Sequence, residues 1–312
     1  MKIFLFILIS FNILVFACVD KSYAEQDAIK VTQQLKKYSI DDVVIEQYKW
    51  QGAIPSSGQV KVINPFGSIS VKNINQPIVA VTGAMQLIGH SPTKAKIITK
   101  QEHGVQIIEV TYPEGNSDVL GQRTGRVDLG IFVPQGVALT LITNFGDIKS
   151  RKLKSNVIAK TYSGKIKIGS SATIQAQTHT GDIKLTIQKD NSKNARFVEN
   201  SKTRFNTVTS TAGNIQVYLQ DNVNISLAAN SQRGIKSNLL ANKYTQITTK
   251  TKGLFTAVLG QGTRHYEINS QTGMIYFYRS EWHKMKLTIN EATVNEATVN
   301  EVTIKVQQVT SP

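Results

Sequence analysis

Three lysines of this chain, Lys149, Lys167 and Lys184, each stand three residues after a glycine and directly after an isoleucine. If the segments are strands, alternation turns Ile148, Ile166 and Ile183 inward and the lysines outward. Stacked strands lie about 4.8 Å apart, so the ammonium groups form a column. Neighbours in it repel by about 1 kcal/mol per contact at short range in water. Such a column needs ample water or an anionic partner. Lys165 and Arg151 lie close in sequence and extend the patch. Lys149, Lys165, Lys167, Lys184 and Arg151 are therefore the candidate polyanion-binding residues. The alternative is that they keep a flat β surface soluble and block edge association.

Other chemistry is thin. Asp147 and Asp182 occupy equivalent repeat positions, two stacking steps or about 9–10 Å apart, close to the carboxylate separation used in glycoside hydrolysis. Lys165 lies between them, so both are expected to stay ionised and neither is poised as an acid. The histidines at 90, 103, 179, 265 and 283 lack metal-ligand spacing, and His179 reads as a turn residue. No nucleophile elbow, phosphate loop or calcium loop occurs. The expectation is no catalytic residue, no metal and no cofactor. Cys18 is the only cysteine, which leaves no disulfide framework. The rival is a polysaccharide-active lyase or hydrolase. Nucleic acid is not expected, since no aromatic residue except Tyr162 stands beside the lysines.

The elements that must position these residues come from a repeat. Thr143-Asn-Phe-Gly146-Asp-Ile148, Thr161-Tyr-Ser-Gly164-Lys-Ile166, Thr178-His-Thr-Gly181-Asp-Ile183 and Ser210-Thr-Ala-Gly213-Asn-Ile215 share one pattern. Looser copies occur at Asn64-Pro-Phe-Gly67, Ser231-Gln-Arg-Gly234 and Ser270-Gln-Thr-Gly273. The four regular glycines fall 18, 17 and 32 residues apart, the last reading as two steps of 16. A near-constant period with a Gly corner and an alternating apolar run marks stacked β-coils. The glycines are expected to supply positive φ. The outward column Asp147, Lys165, Asp182, Asn214 is expected to stabilise the stack by alternating charge. Asp190 to Val208 breaks the rhythm as a degenerate coil or an outward loop.

The ends differ. Residues 1–24 read as a signal peptide, with an apolar run from Ile3 to Val19 and small residues at Ser22 and Ala24. Cleavage after Ala24 is one reading; the other is a lipoprotein signal to residue 17, from the Val15-Phe-Ala-Cys18 box, giving a lipid anchor at Cys18. Residues 25–58 form an N-terminal segment or cap, with weak helical spacing over Asp27–Tyr38 and a strand over Val43–Trp50. Residues 59–280 form the β-solenoid. Rings at 255, 266, 276, 277, 278 and 282 suggest a C-terminal cap, with Ile275 and Phe277 inward and Tyr276 and Tyr278 outward. Residues 281–312 carry Asn-Glu-Ala-Thr-Val pentapeptide repeats and read as low-complexity.

Val127-Asp-Leu-Gly-Ile-Phe-Val-Pro134-Gln-Gly136, leading into Thr143-Asn-Phe-Gly146-Asp-Ile148, resembles the central signature of a bacterial "putative adhesin" family of unknown function. Val60 to Lys72 is similar to its opening strand pair. The resemblance covers residues 59–280 and departs from the pattern at Gly164-Lys165, at Gly234-Ile235 and across 190–208. It implies a right-handed β-solenoid of the cell envelope and carries over no catalytic residue.

The chain has 36 basic and 21 acidic residues, a net charge of +15. Such an excess attracts polyanions, with solubility the plain alternative. The expected fold is all-β, a right-handed single-stranded β-solenoid with irregular N-terminal coils and an aromatic C-terminal cap. The expected function is non-enzymatic binding or scaffolding by an exported protein of the periplasm, outer-membrane surface or extracellular space. Anionic polysaccharide, lipopolysaccharide or the envelope surface is the partner. Membrane contact is expected only through a lipid anchor at Cys18.

Overall fold

The computed structural model describes residues 43–88, 94–112, 125–189, 205–241 and 244–279. The signal segment, the Asp27–Tyr38 pattern, the Asp190–Arg204 stretch, Trp282 and the pentapeptide tail lie outside the described residues. Within them the chain is all-β, in two large mixed sheets of 10 and 11 strands.

The plan is a rung: one strand in the 11-stranded sheet, a corner, then one strand in the 10-stranded sheet. The regular rungs are β8 (Ala138–Phe145) with β9 (Ile148–Ser150), β10 (Val157–Ser163) with β11 (Ile166–Ser170), and β12 (Ile174–Thr180) with β13 (Ile183–Ile187). Next come β14 (Phe205–Ala212) and β15 (Ile215–Leu219). Parallel pairing sets Ile148, Ile166, Ile183 and Ile215 side by side in one buried column, as their spacing implied. Leu141, Ala159, Ala176 and Val208 form the facing column of the other sheet. Both columns are buried, so the core is a strip between the sheets.

The corner explains the repeat. A Cβ on Gly164 would lie 2.0 Å from the Gly146 carbonyl oxygen, one on Gly181 2.1 Å from Gly164 O, and one on Gly213 1.9 Å from Gly181 O. Successive glycines sit directly against one another, and a side chain would separate the rungs. Positive φ was the expected reason; it holds at Gly181 (148°) and Gly164 (158°), but Gly146 and Gly213 are not among the positive-φ residues. Close approach is the common cause. The hydroxyl three residues earlier uses the same carbonyl. Thr161 donates to Gly146 O at 3.2 Å, Thr178 to Gly164 O at 3.3 Å and Ser210 to Gly181 O at 3.1 Å. Asn64 fills that place in the first imperfect copy, donating to Val127 O at 2.7 Å.

Gly213 packing on Gly181 overturns the reading of the 32-residue interval as two steps. β12 pairs with β14 and β13 with β15, so no degenerate coil intervenes. The interval is one step plus an insertion. At the opposite corner the buried guanidinium of Arg264 donates to Ser171 O at 3.0 Å and Gln188 O at 2.6 Å, tying successive rungs together.

At both ends rungs stack out of chain order. β2 (Gln59–Ile63) and β3 (Ile69–Ile74) lie between the regular rungs and β6 (Val105–Thr111) with β7 (Gly125–Pro134). At the other end β20 (Arg264–Ser270) and β21 (Ile275–Arg279) insert between β14/β15 and the earlier pair β16 (Ile225–Ser231) and β17 (Ile235–Ser237). Antiparallel strands close the ends. β1 (Val43–Ala53), β4 (Ile78–Ile88) and β5 (Lys96–Glu102) flank the first; β18 (Thr245–Lys250) and β19 (Leu254–Leu259) extend the 11-stranded sheet at the second. The aromatic segment is thus at the end only in part: Phe255 lies on β19 in the terminal antiparallel pair, while Tyr266 and the rings at 276–278 lie on β20 and β21, inside the sheets. Ile275 and Phe277 are buried, with Phe277 stacked on Phe255 at 4.9 Å, but their strand is internal to the sheet.

Candidate functional site

The outer face of the 10-stranded sheet carries the lysine column in the expected register. Lys149 pairs with Lys167 and Lys167 with Lys184 on β9, β11 and β13. Below each lies a buried isoleucine, so the lysine must point outward. Arg151, just past β9, is exposed, and it acts on Lys167. The Arg151 guanidinium first, then partial burial and the Lys184 and Lys149 ammonium groups, push the Lys167 pKa below its ordinary value. Lys165 is exposed at the corner, one position before the column.

The expected charge alternation along Asp147, Lys165, Asp182 and Asn214 takes another form. The Asp147 carboxylate accepts the Lys165 main-chain amide at 2.9 Å and pairs with the Lys149 ammonium at 3.3 Å. Asp182 accepts the Asn214 amide at 2.8 Å, and the Asn214 side-chain oxygen accepts the Met274 amide at 2.9 Å. The column is a ladder of side-chain acceptors on the next rung's amide. A short Asp or Asn side chain reaches that amide; a lysine cannot accept, so Lys165 leaves the ladder. Both carboxylates are committed to the stack.

Beyond Lys184 the face turns aromatic, because β21 pairs with β15. Lys184 aligns with Gln216 and Gln216 with Tyr276, while Thr186 aligns with Tyr218 and Tyr218 with Tyr278. The Lys184 ammonium lies 4.4 Å from the centre of the Tyr218 ring, within cation–π range. Tyr218 stacks on Tyr278 at 5.0 Å, and Tyr278 lies parallel to Tyr276 at 6.2 Å. The tyrosines the sequence turned outward thus adjoin the lysines. Tyr162, expected beside them, stands instead on the corner in a run of rings, 6.1 Å from Phe145 and 4.8 Å from His179. His179 is the penultimate residue of strand β12 and is not a turn residue. Gln216 and Tyr218 were missed as site residues; their outward alternation on β15 was the available signal.

Among the described residues no three His, Cys, Asp or Glu side chains come together as a metal would require. His90 and His283 lie outside them.

No family model matches the chain, and no curated protein matches it. Solved structures with weak structural similarity to the chain include the following two. A crystal structure of a "putative cell adhesion protein" from Clostridium sporogenes aligns with TM-score 0.42 and 12% identity, over 75% of this chain and 100% of that one. A "putative adhesin" from Bacteroides fragilis aligns with TM-score 0.27 and 11% identity, over 75% of this chain and 97% of that one.

Proposed function

We propose that this is an exported, non-enzymatic binding protein of the bacterial cell envelope, a right-handed β-solenoid that engages anionic glycan, in the manner of an adhesin. The observation that carries the reading is one continuous outer face. On it Lys149, Lys167 and Lys184 stand on consecutive strands and lead into Gln216, Tyr218, Tyr276 and Tyr278. Like charge on consecutive strands is mildly unfavourable, and the stack could carry Thr or Gln there instead. Neighbouring phenol and amide groups add hydrogen bonding to sugar hydroxyls. Anionic polysaccharide and lipopolysaccharide share the chemistry this face would meet.

The test is retention on heparin-like and lipopolysaccharide matrices over a salt gradient. Changing Lys149, Lys167 and Lys184 together to Gln is expected to leave the fold intact and lower the salt needed for elution, with a shallower salt dependence. Elution of the triple variant with the parent protein overturns the reading.

A further inference from the structure

The outward column continues past the three lysines, and its continuation specifies the polymer. In strand order along the sheet, β9, β11, β13, β15, β21 and β17 place Lys149, Lys167, Lys184, Gln216, Tyr276 and Lys236 in one line. Six consecutive rungs thus present cation, cation, cation, amide, phenol, cation. Lys236 is exposed at the far end, some fifty residues from Lys184 in the chain, and is aligned with it only by the interleaved stacking.

Three features restrict what can lie there. Four lysines align along the stacking axis, with Arg151 and Lys165 beside the line at its first two rungs. Two residues further along come Arg151, just past β9, and then Gly169, Thr186, Tyr218 and Tyr278, so beside the column the only charge at this position is Arg151, and a ligand lying across the strands meets one ammonium on each of β11 and β13. The step between rungs is about 4.8 Å, close to the length of one pyranose in an extended 1,4-linked chain. The charge per step is also low. One lysine per rung is a single mobile point charge without the bidentate geometry of arginine, and Lys149 is already shared with Asp147 at 3.3 Å. Other charged groups near the line are Arg151 and Lys165, both exposed, Asp182, bound to the Asn214 amide, and Arg279, held by Asp221 at 3.3 Å. The middle rungs are neutral: the Gln216 side-chain oxygen accepts from the Tyr218 hydroxyl at 3.3 Å.

Resting on the anionic-glycan reading above, we infer that the ligand is a linear polyuronate, one carboxylate per sugar, laid along the stacking axis with one sugar per rung over six rungs. Its carboxylates meet Lys149, Lys167, Lys184 and Lys236. Its hydroxyls meet Gln216 and Tyr276 in the two neutral steps.

The test is calorimetric titration of the full chain with oligogalacturonates of two to eight residues. Affinity is expected to rise with each added sugar to six and then level off. Lys167→Gln is expected to weaken the trimer and the hexamer alike by about fivefold, the scale of one exposed ion pair. Lys236→Gln is expected to weaken the hexamer similarly and leave the trimer unchanged, which a general loss of positive charge would not do. Affinity that stops rising at two or three sugars, or an equal effect of Lys236→Gln on trimer and hexamer, overturns the axial assignment. If oligouronates fail to bind while heparin-like retention still depends on the lysine triplet, the polyuronate assignment falls and the polyanion reading stands. Loss of both removes both.

Discussion

The glycine corner and the lysine–tyrosine face share one period but obey different constraints. At the corner the regular rungs repeat one contact: a glycine against the carbonyl of the glycine on the neighbouring rung, and a hydroxyl donating to it. On the face the outward position changes from Lys to Gln to Tyr and back to Lys across the rungs. The corner is fixed by the backbone separation of stacked strands and has no room to vary. The face meets solvent and is free to vary, so what it carries reflects demands other than folding. Regularity in this molecule marks architecture, and departure from regularity marks the place to look for binding.

The contrast breaks most visibly at the corner. Gly164→Ala would place a methyl 2.0 Å from Gly146 O, where the clash is with backbone and no rotamer relieves it. The rungs must part, disturbing main-chain bonds such as Gly146 N to Ser163 O at 3.0 Å. The expected loss is about 4 kcal/mol or more, a large share of the stability of a domain. Equilibrium denaturation of parent and variant measures it. An unchanged midpoint would show that the stack does not hold the glycines in contact.

Next in size is the hydroxyl ladder. Ser210 is fully buried and donates to Gly181 O at 3.1 Å. Ser210→Ala removes the donor without adding bulk and leaves a carbonyl bare, a loss of about 1–3 kcal/mol. The same denaturation series should place it clearly between the glycine variant and the lysine variants. A loss near zero would mean that water or relaxation replaces the hydroxyl and that the Thr or Ser of the repeat serves another purpose.

These contacts also explain what was legible beforehand. The isoleucine column and the lysine register follow from alternation and a constant interval, which strand geometry enforces locally. The interval between Gly181 and Gly213 misled because an insertion between two rungs adds little closure entropy and leaves their stacking intact. Chain spacing reports stacking only where nothing is inserted. The interleaved ends were not legible, since Ser231-Gln-Arg-Gly234 and Ser270-Gln-Thr-Gly273 are equally good rungs and nothing local says which lies inside. For the same reason Tyr276 and Tyr278 could be turned outward correctly yet misplaced in a cap, because their neighbours on β15 are sixty positions away. The hydroxyl and glycine were both visible in the pattern, but their shared carbonyl belongs to the adjacent rung.

The smallest effect sharpens the other side of the comparison. Lys167 sits among Arg151, Lys184 and Lys149, which lower its pKa from the ordinary 10.5. In the unfolded chain those neighbours disperse and the value returns toward the ordinary one. Between the folded and unfolded values the unfolded state therefore binds more protons, and stability rises with pH. The repulsion is present in full at neutral pH, where Lys167 is charged in both states. It is relieved as pH climbs through the folded value toward 10.5. The side chain is largely solvated, so screening keeps the effect to a few tenths of a kcal/mol. Lys167→Gln should accordingly be slightly more stable than the parent at pH 7 and low salt, and the difference should shrink with added salt and on raising pH toward 10.5. Denaturation midpoints of the two proteins at two pH values and two salt concentrations supply the comparison. A variant less stable than the parent at neutral pH would show that Lys167 contributes to the fold. The face would then be constrained by architecture as the corner is, and its residues would no longer single it out as a binding surface.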